Sequence, residues 1–181
     1  MRLAIAAIAA FSCLSPAAVF AQPASGGDPV SSSIRSEWKT VAGYIKASAA
    51  DMDEANYAFK PVDSVRTFGA ILAHVAGANY TFCAAAKGEK SPHAEGDFEK
   101  SATTKAQITK ALNDSLAYCD AAFAAATDAT LGQMVDPPFG TQKITRAEAL
   151  IGNIGHCNEH YGNLVTYFRI KGIVPPSSRR Q

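Results

Sequence analysis

Apolar residues recur at three- and four-residue steps in four long stretches of the chain, and this pattern restricts the fold more than any other feature. The first stretch runs from Ile34 to Ala49 and predicts a helix of about five turns. The second is expected to begin at a cap on Asp63 and to end at Gly88, a residue that commonly stops helices. Both stretches carry their apolar residues on one face, so each predicted helix must pack against others.

The third stretch covers about residues 104–126, and the fourth has the clearest start in the chain. There, Thr145 and Glu148 form a predicted capping box. No segment shows a convincing strand pattern. Four long helices with one apolar face each are most simply buried in an all-α four-helix bundle. The connections at 88–102 and 127–144 are long, so at least one is expected to cross the bundle.

The N-terminal residues have the composition of a cleavable secretory signal. A positive charge at Arg2 is followed by an apolar run over residues 3–18, and small residues precede Gln22 where the cleaving enzyme requires them. We therefore predict a signal peptide over residues 1–21, cleaved after Ala21, and an exported protein, periplasmic or secreted. A membrane anchor fits less well, because the run is barely long enough to span a bilayer.

Composition separates the remaining regions and excludes one class of partner. Residues 22–32 are rich in Gly, Pro and Ser, which predicts a disordered leader. The bundle is predicted over residues 33–177, and residues 178–181 form a predicted tail. The 17 Lys and Arg nearly balance the 16 Asp and Glu, and no basic stripe is visible, which argues against nucleic acid as a partner. No further segment is apolar enough to predict a membrane span after signal cleavage.

The cysteines allow two interpretations. Cys13 would leave with the signal peptide, and three cysteines remain. In an oxidising compartment Cys83 and Cys119 could form a disulfide, with Cys157 left as a thiol. Three buried, unpaired thiols agree with the sequence equally well, since a free cysteine behaves as a small apolar residue.

His156 and His160 are four residues apart on the fourth predicted helix, and at this spacing two imidazoles can reach one ion. Many helices contain the same spacing by chance, so two ordinary surface or core histidines are the alternative. Both lie at the edge of the predicted apolar face, on a small and polar stripe suited to lining a cavity. The same stripe carries Asn153, Asn163 and Tyr167, which could support a metal ligand or contact a substrate.

His74 lies near the middle of the second helix, as His156 and His160 do on the fourth. Two such helices packed side by side would bring the three imidazoles to one level. Three nitrogens without an apparent fourth protein ligand predict an open metal site, with water or a substrate in the remaining position. Three other residues are predicted to lie outside this site: His93 in a solvated loop, Cys157 in the core and Glu159 at the surface.

With these histidines the chain resembles the DinB-like (YfiT-like) family of metal-binding four-helix bundles. The resemblance rests on Phe68–Ala76, on His156–Asn163 and on Tyr167–Pro176, and Trp38 and Phe139–Gly140 agree with it. It covers nearly the whole chain that would remain after signal cleavage. It implies a bundle in which His74, His156 and His160 bind one divalent metal ion, Zn²⁺ or Ni²⁺.

The family implies several functions. Characterised members include thiol-dependent S-transferases and a maleylpyruvate isomerase that uses low-molecular-weight thiols, so an unidentified small molecule at the metal is the expected partner. An exported protein would meet few such thiols, so a metal-dependent hydrolase stays open beside an S-transferase. A non-catalytic metal-binding or stress-related protein is the alternative, and a bundle that serves only as an interaction module would bind no metal. Members are often homodimers, and the same is compatible with this chain.

Overall fold

The structure is a computed structural model that describes residues 27–94 and 96–179. The predicted signal peptide, residues 1–21, lies outside the described residues. The long elements are four helices: α1 (Pro29–Asp51), α2 (Phe68–Lys87), α4 (Lys105–Ala125) and α6 (Arg146–Ile170). Between them lie two short α-helices and one small antiparallel sheet: α3 (Asp97–Ser101), α5 (Asp128–Leu131), β1 (Met134–Val135) and β2 (Ile144–Thr145). Single 3-10 turns cover Glu54–Asn56 and Pro176–Ser178. The prediction of an all-α chain is confirmed for the described residues, apart from these two-residue strands in the segment expected to be irregular.

The four long helices form a bundle in which chain neighbours are not always spatial neighbours. Both α1 and α2 pack against α4 and against α6, so α1 and α2 lie on one diagonal and α4 and α6 on the other. Asn79 contacts Ser115 and Cys83 is bonded to Cys119, so α2 and α4 run in the same direction. The link between two parallel neighbours has to return along their length. The connection predicted over residues 88–102, which contains α3, is therefore a long crossover, as expected for at least one of the two long connections.

The core is built from the apolar faces that the periodicity indicated. On α1, Trp38 stacks on Phe123 of α4 with ring centroids 4.6 Å apart, and its Nε1 donates a hydrogen bond to Asp120. Burying these large side chains contributes roughly 2 kcal/mol each to the free energy of unfolding, which is the main stabilisation of such a bundle. Most of the other large side chains that are almost fully buried lie on the four long helices, among them Ile45, Phe68, Leu72, Leu112, Leu150, Leu164 and Phe168.

The predicted disordered leader is wrong at its C-terminal end, because residues 29–32 already belong to α1. The carboxylate of Asp128 accepts hydrogen bonds from the backbone N–H groups of Val30 and Ser31, and the carboxylate of Asp28 accepts one from the Asp128 N–H. These bonds join residues about 100 positions apart in the sequence. A cap from so distant a residue could not be seen in the composition of the leader.

The predicted start of the second helix is also wrong. Asp63 is exposed and pairs with Lys60, whereas the hydroxyl of Thr67 accepts a hydrogen bond from the Ala70 N–H at 3.2 Å and caps α2. The N–H groups of Phe68 and Gly69 are bonded to carbonyls of the preceding loop. The loop from residue 52 to residue 67 therefore decides where α2 begins.

The corrected helix start can be tested by mutation. Replacing Thr67 with alanine removes the hydroxyl that caps α2, and we expect the free energy of unfolding to fall by about 1 kcal/mol. Asp63→Ala is the matched control, and its effect should stay within about 0.5 kcal/mol because that side chain is fully exposed. Urea unfolding followed by circular dichroism measures both. A larger loss for Asp63→Ala than for Thr67→Ala would contradict the observed start.

The two remaining long helices begin close to their predicted positions. Thr104 and Gln107 form a complete capping box at the start of α4, which the sequence analysis did not identify. At the start of α6 the Thr145 hydroxyl accepts a hydrogen bond from the Glu148 N–H, so half of the predicted box is present. Thr145 is at the same time the last residue of β2, where it pairs with Met134.

One described helix, α2, is long and apolar enough to cross a membrane if only length and composition are considered. However, 83% of its most apolar window is buried inside the bundle, which is the environment of a core helix. Its apolar character is therefore explained by contacts with α4 and α6.

Candidate metal centre

Three imidazoles meet between α2 and α6. His74 on α2 and His160 on α6 are buried, and His156 is half-buried. The Nε2 atom of His156 lies 3.1 Å from Nε2 of His74 and 3.2 Å from Nε2 of His160. Among the described residues, these three are the group of His, Cys, Asp or Glu side chains that could hold one metal ion. The structure thus brings together the three residues that the sequence analysis selected.

The spacing of the three nitrogens fits a transition-metal ion. Zn²⁺ binds imidazole nitrogens at about 2.0–2.1 Å, so neighbouring nitrogens of a tetrahedral site lie about 3.3–3.4 Å apart. The observed 3.1 and 3.2 Å are within a few tenths of an ångström of that value. Each histidine also offers the same nitrogen, Nε2, so the ring edges that carry Nδ1 remain available for other contacts.

A carboxylate supports the histidine on α2. The Glu99 Oε1 atom lies 3.0 Å from His74 Nδ1, and its Oε2 accepts a hydrogen bond of 3.0 Å from Nε of Arg66. A carboxylate on Nδ1 fixes the imidazole tautomer whose Nε2 carries the lone pair, which is a common arrangement around metal ligands. Glu99 lies on α3, so the long crossover delivers it beside a histidine 25 positions earlier in the chain.

The other two histidines are held differently. The side-chain amide of Asn163 lies 3.5 Å from His160 Nδ1. His156 Nδ1 is buried and has no hydrogen-bond partner among the described residues. The His156 ring packs instead against Phe82, with centroids 5.7 Å apart, and Phe82 in turn packs against Phe139. Aromatic packing therefore orients the imidazole that has no polar partner at its Nδ1.

The protonation states expected at this site suit metal binding. Burial lowers the pKa of His156 to about 3, with further lowering by the charges of His160, His74 and Arg66. Burial also lowers the pKa of His160, and the charge of His74 lowers it further. Burial would raise the pKa of Glu99, but hydrogen bonds and charge from Arg66 and His74 outweigh it and hold that pKa below its usual value. At neutral pH, His156 and His160 are therefore uncharged, and Glu99 is an anion.

An open cleft of about 430 Å³ reaches the cluster beside His160. Arg66 and Tyr167 contribute to its wall, and the Tyr167 hydroxyl donates a hydrogen bond to the Arg66 backbone oxygen. Glu159 is exposed, as predicted, and lies on the rim of the same cleft. A small molecule in the cleft would therefore be in contact with one of the three histidines.

Several neighbouring residues do not lie where the sequence placed them. Asn153 is fully buried, and its Nδ2 lies 3.5 Å from both Cys83 Sγ and Cys119 Sγ, so it packs against the disulfide rather than lining the cleft. His93 is half-buried rather than solvated, because its ring packs between Tyr80 and Phe98. Neither Glu99 nor Arg66 is identifiable from the sequence, since nothing in the local pattern marks either as a neighbour of His74.

The structure distinguishes between the two interpretations of the cysteines. Cys83 on α2 and Cys119 on α4 form a disulfide, which is the first of the two interpretations of the sequence. Cys157 is a free thiol in the core, as predicted, and its Sγ lies 3.4 Å from Asn79 Oδ1. Complete burial raises the pKa of this thiol to about 12, so it is neither a nucleophile nor a metal ligand at neutral pH.

Removing the Glu99 carboxylate should weaken metal binding without unfolding the chain. For Glu99→Gln we expect the affinity for Zn²⁺ to fall about 10- to 100-fold, because His74 loses the group that orients its ring. Competition with a chromophoric chelator measures this. Glu89→Gln is a suitable control, since Glu89 pairs with Lys87 and not with the histidines. An unchanged affinity in Glu99→Gln would show that α3 plays no part in the site.

The family of the chain follows from comparison with known proteins. The family model described as the DinB superfamily matches residues 37–164, which include all three histidines. This chain belongs to the DinB superfamily. Comparison with curated proteins gave no match.

Solved structures of DinB-like proteins share the fold. A DinB-like protein from Bacillus cereus superposes with a TM-score of 0.68 at 16% identity, covering 80% of this chain and 95% of that one. A DinB-like protein from Bacillus subtilis gives a TM-score of 0.63 at 20% identity, with 82% and 99% covered. The mycothiol-dependent maleylpyruvate isomerase gives 0.62 at 16% identity, but this DinB chain covers only 60% of its length, with 74% of its own residues matched. At these identities the likeness extends to the fold.

Proposed function

We propose that this DinB protein is an exported, metal-dependent enzyme that holds one divalent ion, Zn²⁺ or Ni²⁺, on His74, His156 and His160. The observation that carries the proposal is the meeting of three Nε2 atoms from two helices beside an open cleft. When bound, such an ion lowers the pKa of a coordinated water or thiol and polarises a carbonyl group. The protein residues bind and orient the substrate in the cleft.

The opening of the site favours an enzyme over a structural ion. A structural zinc site is usually closed by four protein ligands, and the described residues supply three. The cleft leads to His160, so a small molecule could occupy the remaining position. Storage or sensing of the metal, without catalysis, is the alternative that the same three ligands allow.

Two reaction classes remain in the proposal. The structurally similar maleylpyruvate isomerase is mycothiol-dependent, which supports an S-transferase type of reaction at the ion. Any thiol used here would have to come from outside the chain, because Cys157 is completely buried and its pKa is raised to about 12. Hydrolysis needs only a water at the ion and suits a compartment in which small thiols are scarce. The substrate of either reaction is a small molecule bound in the cleft.

Export is proposed from the N-terminal sequence together with the cysteines. The disulfide between Cys83 and Cys119 agrees with an oxidising compartment, in which such bonds persist. Secretion assays on the full-length chain, with N-terminal sequencing of the product, test this part. A cytoplasmic product that begins at Met1 would contradict it.

Metal analysis tests the site itself. The purified chain is stripped with a chelator, incubated with Zn²⁺ or Ni²⁺ and desalted, and its metal content is measured by elemental analysis. We expect one ion per chain. A chain that stays free of metal after incubation with each ion would overturn the proposal.

Cobalt substitution separates the enzyme from the non-catalytic alternative. The visible absorption of Co²⁺ depends on its ligands, so a small thiol such as 2-mercaptoethanol should change the spectrum if the ion has an accessible position. If neither saturating thiol nor saturating azide, a small anion that binds metal ions, changed the spectrum, the ion would have no accessible coordination position. That result would favour storage or a structural role.

A further inference from the structure

The cleft beside the histidines contains a cationic group that metal binding does not require. Arg66 lies on the cleft wall, and its side chain is 45% exposed. Its Nε is engaged by Glu99, and its Nη2 lies 3.4 Å from His74 Nδ1. Nη1 has no hydrogen-bond partner within the part of the chain that the structure describes. Only one imidazole ring separates this guanidinium from the Nε2 atoms of the cluster.

From this arrangement we propose that the cleft binds small carboxylates, with the carboxylate on the outer edge of the Arg66 guanidinium and the rest of the molecule directed toward the ion. This inference rests on the proposed function for the position of the ion, but not for the binding of the carboxylate. Guanidinium and carboxylate groups are matched in geometry, and hydrogen bonds between them are about twice as strong as neutral ones. The cleft, at about 430 Å³, has the size of a small-molecule site.

The backbone N–H groups near Arg66 are already hydrogen-bonded, so the guanidinium is the group that can bind an anion. The first N–H groups of α2, at Phe68, Gly69 and Ala70, already bond to Phe59, Tyr57 and Thr67, so the start of this helix offers no donor to an anion. The backbone of Arg66 is itself held by the hydrogen bond from Tyr167. A rigid anchor loses less entropy when a ligand binds, which favours recognition at this residue.

The charges around the cleft favour a carboxylate over a phosphate. Its lining contains one arginine and one exposed carboxylate, Glu159, which directly precedes His160 in the chain. The opposite charges of Arg66 and Glu99 cancel within their ion pair, so the cleft wall carries no large excess of positive charge. Glu159 repels any anion in the cleft, and it repels a doubly charged phosphate about twice as strongly as a singly charged carboxylate. The apolar part of the wall, with Val65 and Ile71, suits a ligand with a short hydrocarbon chain.

The test compares butanoate with butanamide, which has the same shape without the charge, and with methyl phosphate, which is mainly doubly charged at slightly alkaline pH. Calorimetric titrations are made on the Zn²⁺-loaded chain and on the metal-free chain. We expect butanoate to bind at least about tenfold more tightly than butanamide, and Arg66→Gln to remove this preference. Arg169→Gln is the control, because Arg169 is an exposed arginine at the end of α6, outside the cleft lining. Equal binding of butanoate and butanamide, or an Arg66→Gln variant that keeps the preference, would overturn the proposal.

Two further measurements keep the outcome clear. Glu159→Gln removes the rim charge, and butanoate should then bind about two- to fivefold more tightly, an effect that a damaged fold could not produce. If methyl phosphate binds more tightly than butanoate to the wild-type chain, the assignment to carboxylates is wrong. A chain that takes up no metal would end the proposed enzyme function, yet an Arg66-dependent preference for butanoate in the metal-free chain would still support the carboxylate site. If the metal-free wild-type chain bound butanoate and butanamide equally, the proposed carboxylate site would be contradicted.

Discussion

His156→Ala is expected to abolish stoichiometric metal binding. His156 is the central member of the cluster, since its Nε2 lies within 3.2 Å of the Nε2 atoms of both His74 and His160. The free energy of binding for a protein zinc site is roughly 10–16 kcal/mol, so the loss of one of three ligands should cost about 3–5 kcal/mol, or about two to four orders of magnitude in affinity. Chelator competition measures the loss. His74→Ala and His160→Ala should behave alike.

His93→Ala is the matched control for these variants. His93 packs between Tyr80 and Phe98 and does not belong to the cluster, so its replacement should leave the zinc affinity unchanged. Circular dichroism of each metal-free variant establishes that the helices are intact. If His156→Ala retained one tightly bound ion per chain, the proposed ligand set would be incorrect.

Reduction of the disulfide should produce the largest change in stability. Cys83 and Cys119 are 36 positions apart, and a crosslink that closes a loop of this length stabilises the folded state by about 4 kcal/mol in the chain-entropy description. Guanidinium unfolding of the metal-free chain with and without dithiothreitol should therefore differ by about that amount. The double variant Cys83→Ala, Cys119→Ala should resemble the reduced chain.

The double variant also provides the internal control, because dithiothreitol should have no effect on its stability. Cys157→Ala tests the remaining thiol, and it should keep the response to dithiothreitol, since Cys157 is not in the crosslink. A wild-type chain whose unfolding does not respond to the reductant would favour three free thiols instead. Labelling under denaturing conditions distinguishes one thiol from three.

Much of the fold could be predicted because helical periodicity is a local property. The third and fourth predicted helices correspond closely to α4 and α6, and Thr104 and Thr145 cap them through residues only three positions away. The errors occurred where a helix begins under the influence of distant residues. Asp128 caps the start of α1, and the loop around Tyr57 and Phe59 sets the start of α2.

The site was predictable to the same degree and for the same reason. His156 and His160 share a helix, so their i, i+4 spacing places both rings on adjacent turns of one face whatever the rest of the chain does. The two histidines of α6 could meet His74 only if the second and fourth predicted helices packed side by side. The structure has that contact between α2 and α6. The polar stripe that carries these histidines is more buried than the helical periodicity indicated, since Asn153 on the same stripe is fully buried.

The sequence by itself therefore determined the helices, the family and the three histidines, because each depends on spacing within a single helix or on short segments of the chain. Only the tertiary structure decided that Glu99 supports His74, that Arg66 faces the cleft and that Cys83 is paired with Cys119. Each of these contacts joins different elements across the long crossover or across the bundle. No local pattern encodes such a distance, since it is set by how the apolar faces of α2, α4 and α6 are buried together.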